Sequence, residues 1–216
     1  MNILITGCNG GIGRALSLRY ADEGHTVTGI SRSDVDLTDW EKMRTFFSHD
    51  IRNDFNLVVH CAAKNIVKRF EKTSYVSFRE IIESNVMGTF NLLKCVIPLV
   101  VPGGNIILFS SLSAFSPRIG QSAYATSKAA LSGMVKVLAQ ELLATEKYIF
   151  LLAPGLVETG MPENMMSDMI LSAAIDKIPL RRTCTVAEIK TTIDYAVKTP
   201  YLSGQTIHLN GAYHIF

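Results

Sequence analysis

Tyr124 and Lys128 stand four residues apart in Tyr124-Ala125-Thr126-Ser127-Lys128, at the head of a stretch of helical periodicity spanning 123–144. Positions i and i+4 share one face of a helix, so the spacing predicts that the hydroxyl and the ammonium reach the same volume. A tyrosine hydroxyl titrates near pH ~10, too high for proton exchange at neutral pH. A neighbouring ammonium favours the phenolate and lowers that value. Tyr124 could then give a proton to a carbonyl oxygen during reduction and take one back during oxidation. Ser111 follows an apolar run at 105–109 that reads as a strand. Its hydroxyl would be aimed at the same oxygen from the strand's C-terminal end, where doubly wound sheets bind ligands. Taken alone, a Tyr–Lys pair at this spacing is equally an ordinary surface pair.

A second constellation lies near the N-terminus: Thr6-Gly7-Cys8-Asn9-Gly10-Gly11-Ile12-Gly13, between a short apolar run at 2–6 and an amphipathic stretch at 12–23. Glycines at such a turn let the backbone approach a pyrophosphate, and the helix that follows offers unpaired N–H groups and the positive end of its dipole. The spacing is GxxxGxG and not GxGxxG, and a tight turn without a ligand would also accommodate it. An acid at the end of the second strand would grip a ribose 2′-hydroxyl. Ser31 holds that place, followed by Arg32. An arginine can pair with a 2′-phosphate that an acid would repel, so Ser31-Arg32 favours NADP, with NAD as second choice. Asp34 and Asp36 pull the other way, and Arg32 also reads as a solvated surface charge.

These residues need a scaffold, and the chain alternates short apolar runs with helical stretches. Runs at 2–6, 26–30, 57–61, 105–109, 148–152 and 206–209 read as strands; 12–23, 40–47, 78–100, 123–144 and 186–197 read as helices. Continuously apolar strands alternating with helices predict a doubly wound, mostly parallel sheet covered on both faces, the Rossmann fold, in one domain spanning 1–216. Pro102-Gly103-Gly104 is read as the stop of the long third helix. Between Ser31 and Val35 there is no room for the dozen or so residues of a crossover. One crossover helix is therefore expected to be missing after the second strand, and any strand near 35–37 to be short.

Bulk properties agree. The 216 residues are 48% apolar and 19% charged, with a net charge of +2, which suits a single globular domain and gives no basic run for nucleic acid. The N-terminus reads as folded domain and no apolar stretch reaches the roughly 20 residues of a membrane span. Cys8, Cys61, Cys95 and Cys184 are scattered without a CxxC pair, as expected of reduced thiols in a cytoplasmic protein; no metal site is expected.

In order along the chain, these motifs resemble a short-chain dehydrogenase/reductase from residue 3 to residue 211. Thr6-Gly7-x-x-x-Gly11-Ile12-Gly13 is similar to the family's cofactor turn, and Asp36-Leu37 to its adenine-contacting pair. Asn85 in Ser84-Asn85-Val86-Met87-Gly88 resembles the catalytic asparagine. Ser111 lies thirteen residues before Tyr124, and Tyr124-x-x-x-Lys128 is the core motif. Pro154-Gly155-Leu156-Val157-Glu158-Thr159 resembles the segment around the nicotinamide, and Ser203–Ile207 with Asn210-Gly211 the last strand and its ending.

The resemblance implies an NAD(P)-dependent carbonyl reductase or alcohol dehydrogenase that passes hydride between cofactor and substrate. Tyr124 would be the acid/base. Lys128 would lower its pKa and bind the nicotinamide ribose, Ser111 would orient the substrate oxygen, and Asn85 would hold a water linking Lys128 to solvent. Gly7, Asn9, Gly11, Ile12, Gly13, Ser31, Arg32, Asp36, Leu37, Ala62, Pro154, Gly155, Val157 and Thr159 would bind cofactor with Tyr124 and Lys128. The family's Asn-Asn-Ala-Gly is His60-Cys61-Ala62-Ala63 here, which implies local repacking; His60 reads as a satisfied structural histidine. The missing crossover puts the adenine-side contacts in question.

The stretch 161–180, with Met161, Met165, Met166, Met169, Ile170 and Leu171, reads either as an adaptable lid over a small apolar carbonyl or alcohol, or as a plain core helix. The helix at 123–144 is apolar round most of its circumference. Since no other segment is long enough to cover its second side, a homodimer or homotetramer is expected. Two alternatives remain at this stage: a non-catalytic NADP-binding sensor or scaffold, which would have no use for the Tyr–Lys pair, and a nucleotide-sugar epimerase or dehydratase, which would need a C-terminal substrate domain.

Overall fold

The computed structural model describes residues 1–49, 54–116, 118–159 and 168–213. Six strands form one sheet with every pairing parallel: β1 Asn2–Thr6, β2 Thr26–Ile30, β3 Phe55–His60, β4 Val100–Phe109, β5 Tyr148–Pro154 and β6 Thr206–Leu209, in the order β2-β1-β3-β4-β5-β6. The inner strands β1, β3, β4 and β5 are apolar on both faces because both are covered, whereas the edge strands β2 and β6 are only partly buried. Alternate residues divide between two cores. Leu4, Val58, Ile106 and Leu151 face α2 Trp40–His49, α4 Gly88–Val96 and α5 Ser122–Leu142. Ile5, Val59, Ile107 and Leu152 face α1 Gly11–Asp22 and α7 Val186–Val197. Truncating one of these fully buried side chains to alanine would cost about 2–5 kcal/mol.

Helix ends carry their expected devices. Thr185 and Glu188 close a reciprocal capping box on α7. Ser74 Oγ accepts from Ser77 N at 3.1 Å to start α3 Tyr75–Ile82. Tyr20 of α1 donates to Asp194 of α7 at 2.9 Å, and Lys190 pairs with both Asp194 and Glu23, bracing the two helices of the second layer.

No helix stands between Ile30 and Val35, as expected, and α2 alone makes the crossover from β2 to β3. β2 is the sheet edge and the chain runs directly through 31–39 into α2. No strand forms at 35–37, which corrects the expectation of a short one. Two consecutive turns use up that segment's backbone: Asp34 N and Val35 N bond the Ser31 carbonyl, Asp34 Oδ2 accepts from Ser31 N, and Asp36 Oδ1 accepts from Thr38 N. Val35 is then buried in the first core instead of lying in the sheet.

Two further boundaries differ. The long helix expected at 78–100 starts at Tyr75 and is broken by a π-helical turn, Glu83–Met87, before α4. Pro102-Gly103-Gly104 does not stop it; these residues belong to β4, which begins at Val100 opposite Phe55 with an irregular register. Gly103, at φ +79°, donates its N–H to the Glu146 carbonyl at 2.7 Å, in the loop ahead of β5. Within 161–180 the structure gives α6 Asp168–Ile175; Met161, Met165, Met166 and the side chains of Met169 and Ile170 lie outside the described residues.

Candidate active site

The C-terminal ends of β1, β3, β4 and β5 meet the N-termini of α1 and α5 along one cleft. Gly7 leaves β1 at φ +72°, a left-handed conformation that favours glycine, and a Cβ there would stand 2.8 Å from the Ala62 backbone N. Gly10 caps α1 without any side-chain hydrogen bond. The N–H groups of Gly11, Ile12 and Gly13 thus open the helix toward the cleft with no intrahelical partner. Gly11 is needed for a different reason: a Cβ would overlap the Thr159 carbonyl oxygen, which crosses the turn from the segment after β5.

Two cavities share this turn. One, of about 580 Å³, is lined by Gly7, Asn9, Ala62, Ser31 and Arg32, with Asp36 and Leu37 further along its wall. The other, of about 320 Å³, takes in Gly11, Ile12 and Gly13 on one side and Pro154, Gly155, Val157 and Thr159 on the other. Ser111, Tyr124 and Lys128 line it too. All the residues expected to bind cofactor therefore border one of two adjoining cavities that meet at Gly7 and Gly10. An open helix N-terminus at their junction, with a ring-sized space on either side, fits a dinucleotide with its pyrophosphate over the turn.

At the adenine-side end, three expected contacts are already engaged with protein. Ser31 Oγ donates to Asp34 Oδ2 at 2.7 Å, and Arg32 Nη2 pairs with Asp36 Oδ2 at 3.0 Å. Arg32 remains 82% exposed and turned to solvent. Leu37 packs on the first core and its carbonyl accepts from Asn91 Nδ2 at 2.9 Å.

At the catalytic end, β4 delivers Ser111 one residue past Ser110, whose N–H still bonds the Leu152 carbonyl at 2.8 Å. The first turn of α5 brings Tyr124 into the cavity that Ser111 lines. Burial raises the Tyr124 pKa; the Ser111 hydrogen bond and the nearby Arg118 guanidinium pull it partly back. The ammonium of Lys128 lies 5.8 Å from the centre of the Tyr124 ring and donates to the Phe109 carbonyl at 2.7 Å. Burial, at 2% exposure, pushes its pKa down to about 8. The cation that draws the Tyr124 pKa down is the Arg118 guanidinium.

Asn85 is brought near this group from behind. It sits in the π-helical turn, 1% exposed, and lines neither cavity. Its Oδ1 accepts from Lys64 N at 2.7 Å, while its Nδ2 donates to the Lys64 carbonyl at 2.8 Å and to Ser127 Oγ at 2.9 Å. Ser127 in turn donates to the Tyr124 carbonyl at 2.8 Å. Both amide protons of Asn85 are thus spent on protein, clamping the loop after β3 to the catalytic helix. His60 is the satisfied histidine expected: Nδ1 lies 2.6 Å from Thr6 Oγ1 and Nε2 2.9 Å from Thr89 Oγ1, and burial holds its pKa down at about 3.

Sequence reasoning missed Arg118, which lines the catalytic cavity and a neighbouring one of about 410 Å³. An arginine in a loop just ahead of a catalytic helix has no spacing signal. It also missed Ser113 and Gln121, joined at 2.6 Å beneath the same site.

A parallel sheet with a glycine turn after β1 and a Ser–Tyr–Lys group at the ends of β4 and α5 defines a Rossmann-type oxidoreductase. Residues 19–214 match the family model described as enoyl-(acyl carrier protein) reductase, and the chain belongs to the short-chain dehydrogenase/reductase family. It is 28% identical to a 3-oxoacyl-[acyl-carrier-protein] reductase of Aquifex aeolicus, over 96% of this chain and 95% of that protein. It is 27% identical to an acetoacetyl-CoA reductase of Acinetobacter, over 98% and 97%. A short-chain dehydrogenase/reductase of Brucella melitensis superposes with a TM-score of 0.85 at 21% identity, covering 100% of this chain and 97% of that one, a likeness of fold. NADP is consistent with this membership, as Ser31 and Arg32 lead one to expect. No helix among the described residues is long and apolar enough to cross a membrane.

Proposed function

We propose that the chain is an NADPH-dependent reductase of a 3-oxoacyl thioester or a close acyl analogue, acting in the cytoplasm as a single-domain subunit. The observation that carries this reading is that Ser111, Tyr124 and Lys128 line the one cavity that adjoins the glycine turn. Two hydroxyls on the wall of one cavity can cradle a carbonyl oxygen. Bound NADPH supplies the hydride. Ser111 orients the oxygen and Tyr124 delivers the proton. A hydroxyl whose pKa is raised by burial is protonated at neutral pH, so Tyr124 is poised as an acid, which suits reduction more than oxidation. Lys128 at the base of the site holds the nicotinamide ribose, the open end of α1 holds the pyrophosphate, and Arg32 meets the 2′-phosphate.

The neighbouring cavity supports the substrate class. Its walls are apolar at Leu112, Ile119, Leu156 and Ile178, its cations are Arg118 and Lys177, and no acid borders it among the described residues. That combination suits an acyl chain whose far end is anionic, as in the carrier-bound and CoA-bound substrates that the relatives' names specify. Loss of NADPH absorbance with acetoacetyl-CoA, set against simple neutral ketones, tests the proposal. A protein that binds NADPH tightly and reduces none of them would be the non-catalytic sensor.

A further inference from the structure

His60 departs from the family resemblance, and its surroundings give that departure a purpose. Thr6, the last residue of β1, and His60, the last of β3, are register partners in neighbouring strands. Thr89 lies in the first turn of α4. Thr6, His60, Thr89 and Asn85 are each 1% exposed or less, and they form one unbroken series of hydrogen bonds. Thr6 Oγ1 meets His60 Nδ1 at 2.6 Å, His60 Nε2 meets Thr89 Oγ1 at 2.9 Å, and Thr89 Oγ1 meets the Asn85 carbonyl at 2.7 Å.

Counting protons leaves one arrangement. A carbonyl only accepts, so the single Thr89 proton goes to Asn85. Thr89 must then accept from His60, which places the imidazole proton on Nε2. No acid is bonded to the ring, and burial together with Lys128 keeps it neutral, so Nδ1 is bare and accepts from Thr6. Every donor has one acceptor, and the direction runs from the residue before Gly7 to the π-helical turn.

We propose that His60 and Thr89 are positioning residues, which hold the π-helical turn and Asn85 in register with the cofactor turn. Single π-turns inside helices are rare and occur most often at functional sites. Asn85 clamps Lys64 and Ser127, so its placement sets that of Tyr124 and Lys128 on the adjoining turn of α5. This inference rests on the proposed function, in that Tyr124 and Asn85 are taken as parts of a working site.

The test uses the full chain with Thr89→Val, His60→Leu and His60→Gln. Thr89→Val and His60→Leu should lower kcat at least about tenfold, with KM for NADPH within about threefold, because the cofactor cavity keeps its walls. His60→Gln offers one acceptor and one donor at similar reach and should restore kcat to within about threefold of the parent. Folded Thr89→Val and His60→Leu proteins with parental kcat would overturn the proposal, as would His60→Gln no better than His60→Leu. If those variants do not fold, imidazole ¹⁵N shifts of the parent decide: a protonated Nε2 and a bare Nδ1 are expected, and the opposite tautomer overturns the hydrogen-bond series. Full activity in Tyr124→Phe would instead strike at the proposed function, whereas loss in Asn85→Ala but not in Thr89→Val would sink this inference alone.

Discussion

Arg32 Nη2 stands 3.0 Å from Asp36 Oδ2 across one short turn, at the rim of the larger cavity. The pair is exposed, and such pairs contribute only about 0–1 kcal/mol, so a phosphate can take the guanidinium from the carboxylate at little cost. Arg32→Ala should therefore weaken NADPH binding at least about tenfold and NADH binding less than about twofold, read by calorimetric titration. Equal losses for both cofactors would mean that Arg32 does not read the 2′-phosphate.

Tyr124→Phe removes the proton donor and leaves the rest of the cavity intact. Turnover should fall by about 10²- to 10⁴-fold, the usual contribution of a general acid, while the Kd for NADPH stays within about threefold. Lys128→Ala should damage both quantities. Rates within a few-fold of the parent for Tyr124→Phe would end the assignment.

Arg118→Ala should raise KM for an acyl-CoA substrate about tenfold and barely change kcat/KM for a small neutral ketone, because Arg118 borders the outer cavity as well as the catalytic one. Parallel losses on both substrates would move Arg118 from substrate recognition to the electrostatics of Tyr124.

His60 gives a pH dependence of definite sign. Its pKa is held at about 3 in the folded chain against 6.5 for the free side chain. Between these values the unfolded chain binds the extra proton, so stability is full above pH 6.5 and declines as pH falls toward 3. Urea unfolding at pH 7 and pH 5 should show a larger loss for the parent than for His60→Gln. Equal losses would place a compensating charge near the ring.

Assembly is expected through α4 and α5. Val137 and Leu143, on and just past α5, and Phe90 on α4 are exposed in the single chain, though α3 covers part of α5 that periodicity left bare. Size exclusion with light scattering should give a multiple of the 23.8 kDa subunit mass, a homodimer or homotetramer. A monomer at micromolar concentration would refute it.

Much of the site was legible beforehand because it depends on local rules. Gly7 is demanded by the left-handed backbone of its own turn, and Tyr124 and Lys128 share a helix face whatever surrounds them. The missing crossover helix was legible too, since four residues cannot span a sheet. The absent strand at 35–37 was not, because the chain there closes two turns, with Val35 N on the Ser31 carbonyl and Asp39 N on the Asp36 carbonyl.

What the sequence by itself determined is the alternation of strands and helices, the glycine turn after β1 and the shared helix face of Tyr124 and Lys128, each set by spacing within its own segment. Tertiary structure alone decided which charge meets which group. Arg118 approaches Tyr124 and Lys128 turns to the Phe109 carbonyl only once β4 and α5 are packed. Thr6, His60 and Thr89, from three separate elements, join in one series of hydrogen bonds that ends on the Asn85 carbonyl in the π-turn. Hydrogen bonds between residues 29 and 54 positions apart leave no periodic trace in a sequence, since their partners become neighbours only when burial has brought the strands and helices together.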